Sequence, residues 1–456
     1  MTLASPESLD GELDARYVGA LTRGLSEEIA ACRDERPELG PDAVLLEQAA
    51  ATLAQEMAGR DIDAWQDGGH GRYLALCRRL SALLSDAETI ARPYDHMEMF
   101  WEDAARQATG DSPYTFWDVY EHGTRRRLER AIACAYGAED ALLVNSGMSA
   151  LAVALDSAGL RAGDNVHMSA RGYFETTDLL ERVVRPRGIH IADYAITQGR
   201  TTPALALFEV ADATPGPHAW LDSLLNMMLS QNARIVIDNS MLGPAVRWPA
   251  LLGADDRVLF VESTAKFLGR DLMGGVVYGS AAALKPVRLV ARGTGQQLQA
   301  HAFHRMRPGE IAAAALRLEL HERNVALLLE ELGDVRERLA LCTPLQSNFR
   351  SLRRLHGGCV FFLRDRLGDD GDAGRANRHR ALLARWRELA TARGHTLAVR
   401  AGYAWDATTA RCYEGQSLKQ SGVDDYIRIS VGVESPARVR ELGALLRRSI
   451  DETFHG

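Results

Sequence analysis

The sequence lacks any apolar run that approaches the roughly 18 residues needed to cross a membrane as a helix. Its opening stretch, MTLASPESLDGELDARY, is acidic and contains no apolar segment of the kind found in secretory signal peptides. We therefore expect a cytoplasmic protein that has no membrane partner.

Basic residues are also fewer than acidic residues. The chain has 53 basic and 61 acidic residues, which gives a formal net charge of −8. Proteins that bind nucleic acid or anionic lipid surfaces usually carry an excess of basic residues. We therefore expect no nucleic-acid partner.

Cysteine is sparse, and no two cysteines form a C-x-x-C pair. Because the cysteines are scattered over a long chain, they are typical of free thiols in a reducing compartment. No group of histidine and cysteine residues has the spacing of metal ligands, so we expect no metal site. The six cysteines are Cys32, Cys77, Cys134, Cys342, Cys359 and Cys412.

The length of 456 residues is enough for two or three domains with their own cores. We predict a helical N-terminal extension at 1–95, a large domain at 96–309 and a smaller α/β domain at 310–456. In the extension, helical spacing predicts helices over Asp42–Met57 and Arg72–Leu84, with the glycine-rich segment 68–71 as a break between them. The extension is interpreted as a packing or oligomerisation element, with a substrate-site lid as the alternative.

The central stretch of the chain combines two buried strands with polar strand ends. Apolar runs at 234–237 and 258–261 predict parallel strands, and the first is followed directly by Asp238. Ligands of open α/β sheets bind beyond the carboxyl ends of the strands, so Asp238 and the segment Ser263–Lys266 should share one crevice. Lys266 lies among small residues, where a lysine that loses its proton can form a Schiff base.

A second motif has the pattern of a phosphate site. The predicted strand 141–144 leads through Ser146, Gly147 and Met148 into a predicted helix at 150–157. Backbone N–H groups at such a strand-to-helix turn bind phosphate.

These motifs resemble the Cys/Met-metabolism family of fold type I enzymes, which depend on pyridoxal 5'-phosphate (PLP). The resemblance covers roughly residues 115–456. It implies an α/β fold like that of aspartate aminotransferase, with a mixed, mostly parallel sheet and a smaller C-terminal α/β domain. It also implies that Lys266 binds PLP as a Schiff base and that Asp238 holds the pyridine nitrogen. Ser146, Gly147, Met148 and Ser263 would bind the phosphate, and Ala265 replaces a phosphate-binding threonine unless Thr264 substitutes for it.

Further matches concern the substrate. Tyr173 corresponds to the family tyrosine that stacks on the PLP ring and assists the leaving group. Glu175 replaces a small residue and is either a substrate-contacting acid or a solvated loop charge. Arg428, in the predicted strand 426–433, corresponds to the arginine that binds the substrate α-carboxylate, with a solvent-facing edge residue as the alternative. Thr396 matches a position near the same carboxylate.

Two groups of residues depart from the family pattern. The tyrosine and arginine that reach the PLP phosphate of a neighbouring subunit align with Trp117 and Val119. Tyr114, Tyr120 or Arg125 could replace them, although arginines 125–127 also fit a solvated helix face. The asparagine near the PLP hydroxyl is replaced by Ala213.

The resemblance implies γ-elimination or γ-replacement on an L-amino acid with a γ-leaving group, through a vinylglycine-type ketimine. The departures favour specialised amino-acid metabolism on an unusual substrate. The alternatives are a PLP-dependent β-lyase, another fold type I activity such as transamination, or a non-catalytic PLP-fold binding subunit. The family also implies a homodimer or a homotetramer.

Overall fold

The structure, a computed structural model, divides the described chain into two compact units. Unit 1 consists of residues 1–157 and 247–316, and unit 2 of residues 158–246 and 317–456. The predicted domain boundaries near residues 95 and 309 stay predictions. Within the described part of the chain, no helix has both the length and the apolar character to cross a membrane. The described residues are 6–35, 39–90, 123–168, 173–193, 203–209, 233–245, 247–253, 255–268, 273–303, 305–342, 360–365, 371–397, 406–413 and 425–455.

The helices range in length from 3 residues to 30 residues. In chain order they are α1 (Pro6–Glu35), α2 (Gly40–Met57), α3 (Ile62–Ala64), α4 (His70–Ile90), α5 (Gly123–Tyr136), α6 (Gly147–Ser157), α7 (Phe174–Leu179), α8 (Trp248–Leu252), α9 (Thr264–Phe267), α10 (Ala281–Gly293), α11 (Ala300–Phe303), α12 (Pro308–Glu331), α13 (Gly371–Ala392) and α14 (Pro436–His455).

The strands are short and mostly buried. They are β1 (Asp140–Val144), β2 (Asn165–Met168), β3 (His190–Asp193), β4 (Leu205–Glu209), β5 (Arg234–Asp238), β6 (Val258–Ser263), β7 (Gly275–Gly279), β8 (Leu339–Cys342), β9 (Val360–Asp365), β10 (Thr409–Tyr413) and β11 (Tyr426–Ser430).

In unit 1, the N-terminal helices pack closely against the start of α12. A Cβ atom added at Gly24 would lie 2.7 Å from the Cα atom of Gly309, so the two backbones touch where α1 passes α12. Beside this crossing, Arg307 donates a hydrogen bond of 2.8 Å to Glu28 and another of 3.2 Å to Ser81. Polar contacts and a backbone crossing therefore fasten the extension to the rest of unit 1.

The predicted break at the glycine-rich segment 68–71 is wrong. A π-helical turn, Trp65–Gly69, joins α3 to α4 without interruption. A Cβ atom at Gly69 would lie 2.7 Å from the Sδ atom of Met57, so the missing side chain permits close packing against α2. The glycine is used here for contact between helices and not for a chain break.

Unit 1 also contains three antiparallel strands. β7 lies between β1 and β6 and pairs with both of them. α6 packs on this group, as does α10. The group places the ends of β1 and β6 beside the beginning of β7, where Val144 and Ser263 both pair with Gly275.

Unit 2 contributes four parallel strands in the order β5, β4, β2 and β3. Their interior residues are almost entirely apolar, as expected for strands that are covered on both faces. Glu209 and Asp238 are register partners at the carboxyl ends of β4 and β5. Two carboxylates therefore stand next to each other at one edge of this strand group.

A second sheet in unit 2 is antiparallel, with strand order β10, β11, β9 and β8. One face of it joins a core formed with α13 and α14, in which Trp386 is fully buried and donates a hydrogen bond to the Leu442 carbonyl. Side chains of adjacent strand residues point to opposite faces. Ile427 and Ile429 belong to the core, so Arg428 belongs to the opposite face.

Candidate active site

The turn between β1 and α6 is shaped to accept an anion. Ser146 caps α6, because its Oγ atom accepts a hydrogen bond of 2.9 Å from the Ser149 N–H. The first N–H groups of a helix have no partner within the helix, and the helix dipole is positive at this end. The N–H groups of Gly147 and Met148 are therefore directed toward a ligand outside α6.

Three backbone segments meet at this turn. A Cβ atom at Gly147 would lie 3.0 Å from the Cβ atom of Ser263, and one at Gly275 would lie 2.0 Å from the Ser146 carbonyl oxygen. Only glycine fits at Gly275, because no side chain can share that space. We call Ser146, Gly147, Ser263 and Gly275 the phosphate cradle.

Lys266 lies three residues beyond Ser263, on the short helix α9, and is partly buried. Thr264 is fully buried, and its Oγ1 atom lies 2.5 Å from the position that a Cβ atom at Gly274 would take. Leu298 approaches the same position at 3.6 Å. Thr264 is thus buried within unit 1, and its replacement of the hydroxyl that Ala265 lacks stays a prediction.

In unit 2, the ends of β4 and β5 hold the N-terminus of α7. Asp238 accepts a hydrogen bond of 2.8 Å from the Ser240 N–H, which fixes its carboxylate at the strand end. Its register partner Glu209 accepts a hydrogen bond from the N–H of Tyr173, the residue before α7. Asp238 and Tyr173 are therefore linked through Glu209.

Tyr173 is 37% exposed and is followed two residues later by Glu175, whose charge acts on its hydroxyl. Partial burial, followed by the charge of Glu175, raises the pKa of Tyr173 to about 12. At neutral pH the phenol therefore keeps its proton and can donate it in a hydrogen bond. Glu175 is exposed in the first turn of α7, where the helix dipole favours a carboxylate.

Arg428 lies in β11, an inner strand of its sheet, and only 7% of the residue is exposed. The alternative of a solvent-facing edge residue is therefore wrong. Its guanidinium carbon lies 4.7 Å from the centre of the Tyr413 ring. The positive charge of Arg428 also acts on Tyr173, where it counteracts the rise in the pKa of the phenol.

The cluster of Tyr173, Glu175, Tyr413 and Arg428 thus forms within unit 2, and sequence reasoning missed Tyr413. Strand β10 was not predicted, so nothing placed Tyr413 beside Arg428. Thr396 follows α13 and is exposed. Its position near the substrate α-carboxylate stays a prediction.

The family comparison gives this geometry a chemical identity. The model of the family described as "Cys/Met metabolism PLP-dependent enzyme" matches residues 94–442. The chain belongs to this family. The match spans every residue proposed for the site, from Ser146 to Arg428.

Curated relatives in the family match shorter stretches. An O-succinylhomoserine sulfhydrylase of Pseudomonas aeruginosa is 32% identical over 196 residues, which are 41% of this chain and 47% of the relative. A cystathionine gamma-synthase of Mycobacterium tuberculosis is 29% identical over 163 residues, or 34% of this chain and 41% of the relative. The matches therefore span about half or less of the relatives' length.

Solved structures of the family match over more of the chain. A cystathionine gamma-synthase of Xanthomonas oryzae pv. oryzae, in complex with aminoacrylate and cysteine, has a TM-score of 0.62 at 18% identity. It covers 75% of this chain and 90% of that structure. A cystathionine gamma-lyase of Micromonospora echinospora has a TM-score of 0.59 at 21% identity and covers 74% and 89%. These similarities establish the expected fold type I architecture with its mixed, mostly parallel sheet.

The phosphate cradle fits the cofactor of this family. A phosphate dianion needs N–H and hydroxyl donors, and the glycines at 147 and 275 let the turn at Ser146 approach Ser263 and β7 closely. Lys266 follows the cradle on the same unit, and its role as the amine that binds the cofactor stays a prediction. Asp238 belongs to unit 2, so its meeting with Lys266 in one crevice stays a prediction.

Arg125, one proposed substitute for the family's inter-subunit phosphate contact, is not available for that role. It is buried and lies 3.6 Å from Glu129, which is also fully buried. This burial also contradicts a fully solvated helix face at arginines 125–127. The other positions named for this contact, Tyr114, Trp117, Val119 and Tyr120, lie outside the described residues, as does Ala213.

Proposed function

We propose that the protein catalyses PLP-dependent γ-elimination or γ-replacement on an L-amino acid that carries a leaving group at Cγ. The observation that carries the proposal is the phosphate cradle with Lys266 beside it, inside a family match that spans all of the proposed site residues. The names of the sulfhydrylase and the gamma-synthase relatives favour chemistry at Cγ.

The cradle and Lys266 would hold the cofactor. Ser146, Gly147, Met148 and Ser263 bind its phosphate, and Lys266 bonds to it through Nζ. Bound PLP supplies an electron sink that stabilises negative charge on the substrate carbon atoms. The Lys266 amine would move protons at Cα and Cβ of the substrate.

The groups at the ends of β4 and β5 would orient the ring and the leaving group. Asp238, as a carboxylate, favours a protonated pyridine nitrogen. Tyr173 would lie against the cofactor ring and would donate a hydrogen bond to the departing group, since its raised pKa keeps the phenol protonated. Glu175, exposed near Tyr173, would face the substrate beyond Cβ.

Arg428 would bind the substrate α-carboxylate through two parallel N–H bonds, a geometry that lysine cannot provide. Thr396 lies near the same group in this proposal. The carboxylate contact would fix the position of the substrate Cα atom.

We further propose an unusual substrate and specialised amino-acid metabolism. Phe174 and Glu175 replace small family residues, and both are exposed where the substrate γ position would lie. A γ-halo amino acid, an unsaturated amino acid or a γ-acyloxy amino acid other than O-acylhomoserine fits this description. We also propose a cytoplasmic homodimer or homotetramer, as is usual in the family.

The cofactor site is tested by borohydride reduction of the PLP-loaded protein, followed by peptide mapping. We expect the pyridoxyl group on Lys266 and its loss in Lys266→Ala. Lys285→Ala is the matched control, because Lys285 is exposed on α10 and should leave the label unchanged. A label on any other lysine would contradict the assignment, and a protein that binds no PLP would favour the binding-subunit alternative.

The reaction class is tested by product analysis with γ-substituted L-amino acids. A 2-oxo acid together with the free leaving group indicates elimination, and a new bond at Cγ indicates replacement. Pyruvate from a cysteine conjugate would indicate a β-lyase, and pyridoxamine phosphate with a keto acid would indicate transamination. Turnover of cystathionine or O-acylhomoserine at ordinary rates would contradict an unusual substrate.

A further inference from the structure

Two arginines face each other directly across strands β10 and β11. Arg411 and Arg428 are register partners, so their side chains lie on the same face of the sheet. Like charges in this arrangement repel each other and destabilise a sheet. Arg411 is exposed to water, whereas Arg428 is buried, so the repulsion acts on a guanidinium that is poorly solvated.

The Tyr413 ring stabilises both cations. The guanidinium carbon of Arg428 lies 4.7 Å from the ring centre, and that of Arg411 lies 5.3 Å from it. Both distances are within the range of cation–π attraction, which is stronger where water is excluded. Tyr413 is therefore the aromatic contact that offsets the repulsion beside Arg428.

Tyr413 is itself held in place by other rings. It stacks on Tyr426, with the ring centres 5.1 Å apart and an angle of 10° between the planes. Tyr426 in turn meets Phe362 edge to face at 5.4 Å. Phe362 is the register partner of Arg428 on the other side, so this aromatic row fixes both sides of the arginine.

The position of the Arg428 guanidinium over the Tyr413 ring affects what Arg428 can bind. The five N–H donors of a guanidinium lie in its plane, so a ring on one face uses none of them. We propose that Tyr413 is a positioning residue for the substrate carboxylate, because its ring holds the Arg428 guanidinium by one face and takes up none of the N–H donors with which Arg428 would bind that carboxylate. This inference rests on the proposed function, in which Arg428 is the carboxylate anchor.

The test compares two ligands that differ only at the carboxylate. L-Norvaline and L-norvalinamide are titrated into the PLP-loaded protein by calorimetry, since neither carries a leaving group. We expect Tyr413→Leu to weaken norvaline binding about tenfold and norvalinamide binding less than about twofold. Tyr413→Phe, which retains the ring, should restore norvaline binding to within about twofold of the wild type.

A control in the same strand separates positioning from damage to the sheet. Cys412 packs against the hydrophobic core on the opposite face, and Cys412→Ala should leave the ratio of the two affinities unchanged. Tyr413→Met provides a second ring-free variant of similar length, which keeps the test valid if Tyr413→Leu fails to fold.

Equal weakening of both ligands by the ring-free variants would overturn the assignment, as would unchanged norvaline binding. If the wild-type protein binds norvaline no more tightly than norvalinamide, Arg428 is not a carboxylate anchor. The positioning role of Tyr413 is then overturned as well. A further outcome is binding that depends on the carboxylate while no γ-substituted amino acid is turned over. That result would contradict the proposed reaction and still support the role of Tyr413.

Discussion

Glycine residues set how closely the backbone segments of the phosphate cradle approach one another. Gly275 pairs with both Val144 and Ser263, and it is in direct contact with the turn at Ser146. Backbone atoms cannot move aside as a flexible side chain can. The geometry of the phosphate cradle therefore depends on the absence of a Cβ atom at residue 275.

We predict that Gly275→Ala disrupts the cradle. The added Cβ atom would lie 2.0 Å from the Ser146 carbonyl oxygen, which forces β7 away from the turn. We expect a loss of about 3 kcal/mol in the free energy of unfolding and at least tenfold weaker PLP binding. Urea unfolding and PLP titration measure these changes.

Gly293→Ala is the control, because a Cβ atom at Gly293 has no neighbour within 4 Å. This variant should keep wild-type PLP affinity and stability. Equal behaviour of the two variants would contradict the role of Gly275.

Local motifs made the cradle predictable from sequence, whereas contacts between distant strands did not. Ser146 and Gly147 are adjacent in the chain, and Ser263 precedes Lys266 by three positions, so short patterns are enough to find them. The contact between Tyr413 and Arg428 depends on the register of β10 and β11. Nothing in the sequence specifies that register before β10 itself is known.

At the scale of elements, α1 and the start of α12 cross without side chains between them. Gly24 and Gly309 provide the contact, and a Cβ atom at either position would reach the other backbone within 3.0 Å. Such a crossing brings the axes of two helices closer than larger residues permit. It leaves little tolerance for substitution at either glycine.

We predict opposite effects for two Gly→Ala variants of α1. Gly24→Ala should lower the melting temperature and increase proteolysis of the extension, because its Cβ atom would lie 2.7 Å from Gly309. Gly11→Ala meets no atom within 4 Å and should raise helix stability by about 0.5–1 kcal/mol. Thermal unfolding and limited trypsin digestion check both; a tolerated Gly24→Ala would contradict the close crossing.

Periodicity predicted most elements well and failed where residues serve unusual contacts. The predicted strands 234–237 and 258–261 correspond to β5 and β6 with small shifts at their ends. Glycine at position 69 was interpreted as a break because its use in packing against Met57 is invisible in the sequence. β10 was missed because its exposed-face residues include arginine, which does not produce the apolar pattern of a buried strand.

At the scale of the whole molecule, one buried acid makes stability depend on pH. The Glu28 side chain is 13% exposed beside Arg307. Burial raises the pKa of Glu28 to about 7, although the nearby charge of Arg307 opposes this rise. Glu310 adds to the rise, and Arg127 acts in the same direction as Arg307.

We predict that the protein becomes less stable as pH rises from about 5 to about 7. In this window the folded protein holds a proton on Glu28 that the unfolded chain has lost, so the free energy of unfolding falls with pH. Glu28→Gln should flatten this dependence, whereas Glu27→Gln, at the neighbouring exposed position, should retain it. Urea unfolding at several pH values measures the slope, and an unchanged slope in Glu28→Gln would contradict the assignment.

Both compact units are assembled from two stretches of chain, and this affects how the protein is made in the cell. During synthesis, β1 leaves the ribosome long before β7, its partner strand, because the whole segment 158–246 is translated between them. At about 5–20 residues per second, the nascent chain carries β1 without that partner for roughly 10 s. Ribosome-bound chains that end before Gly275 should therefore depend on chaperones to protect an apolar strand.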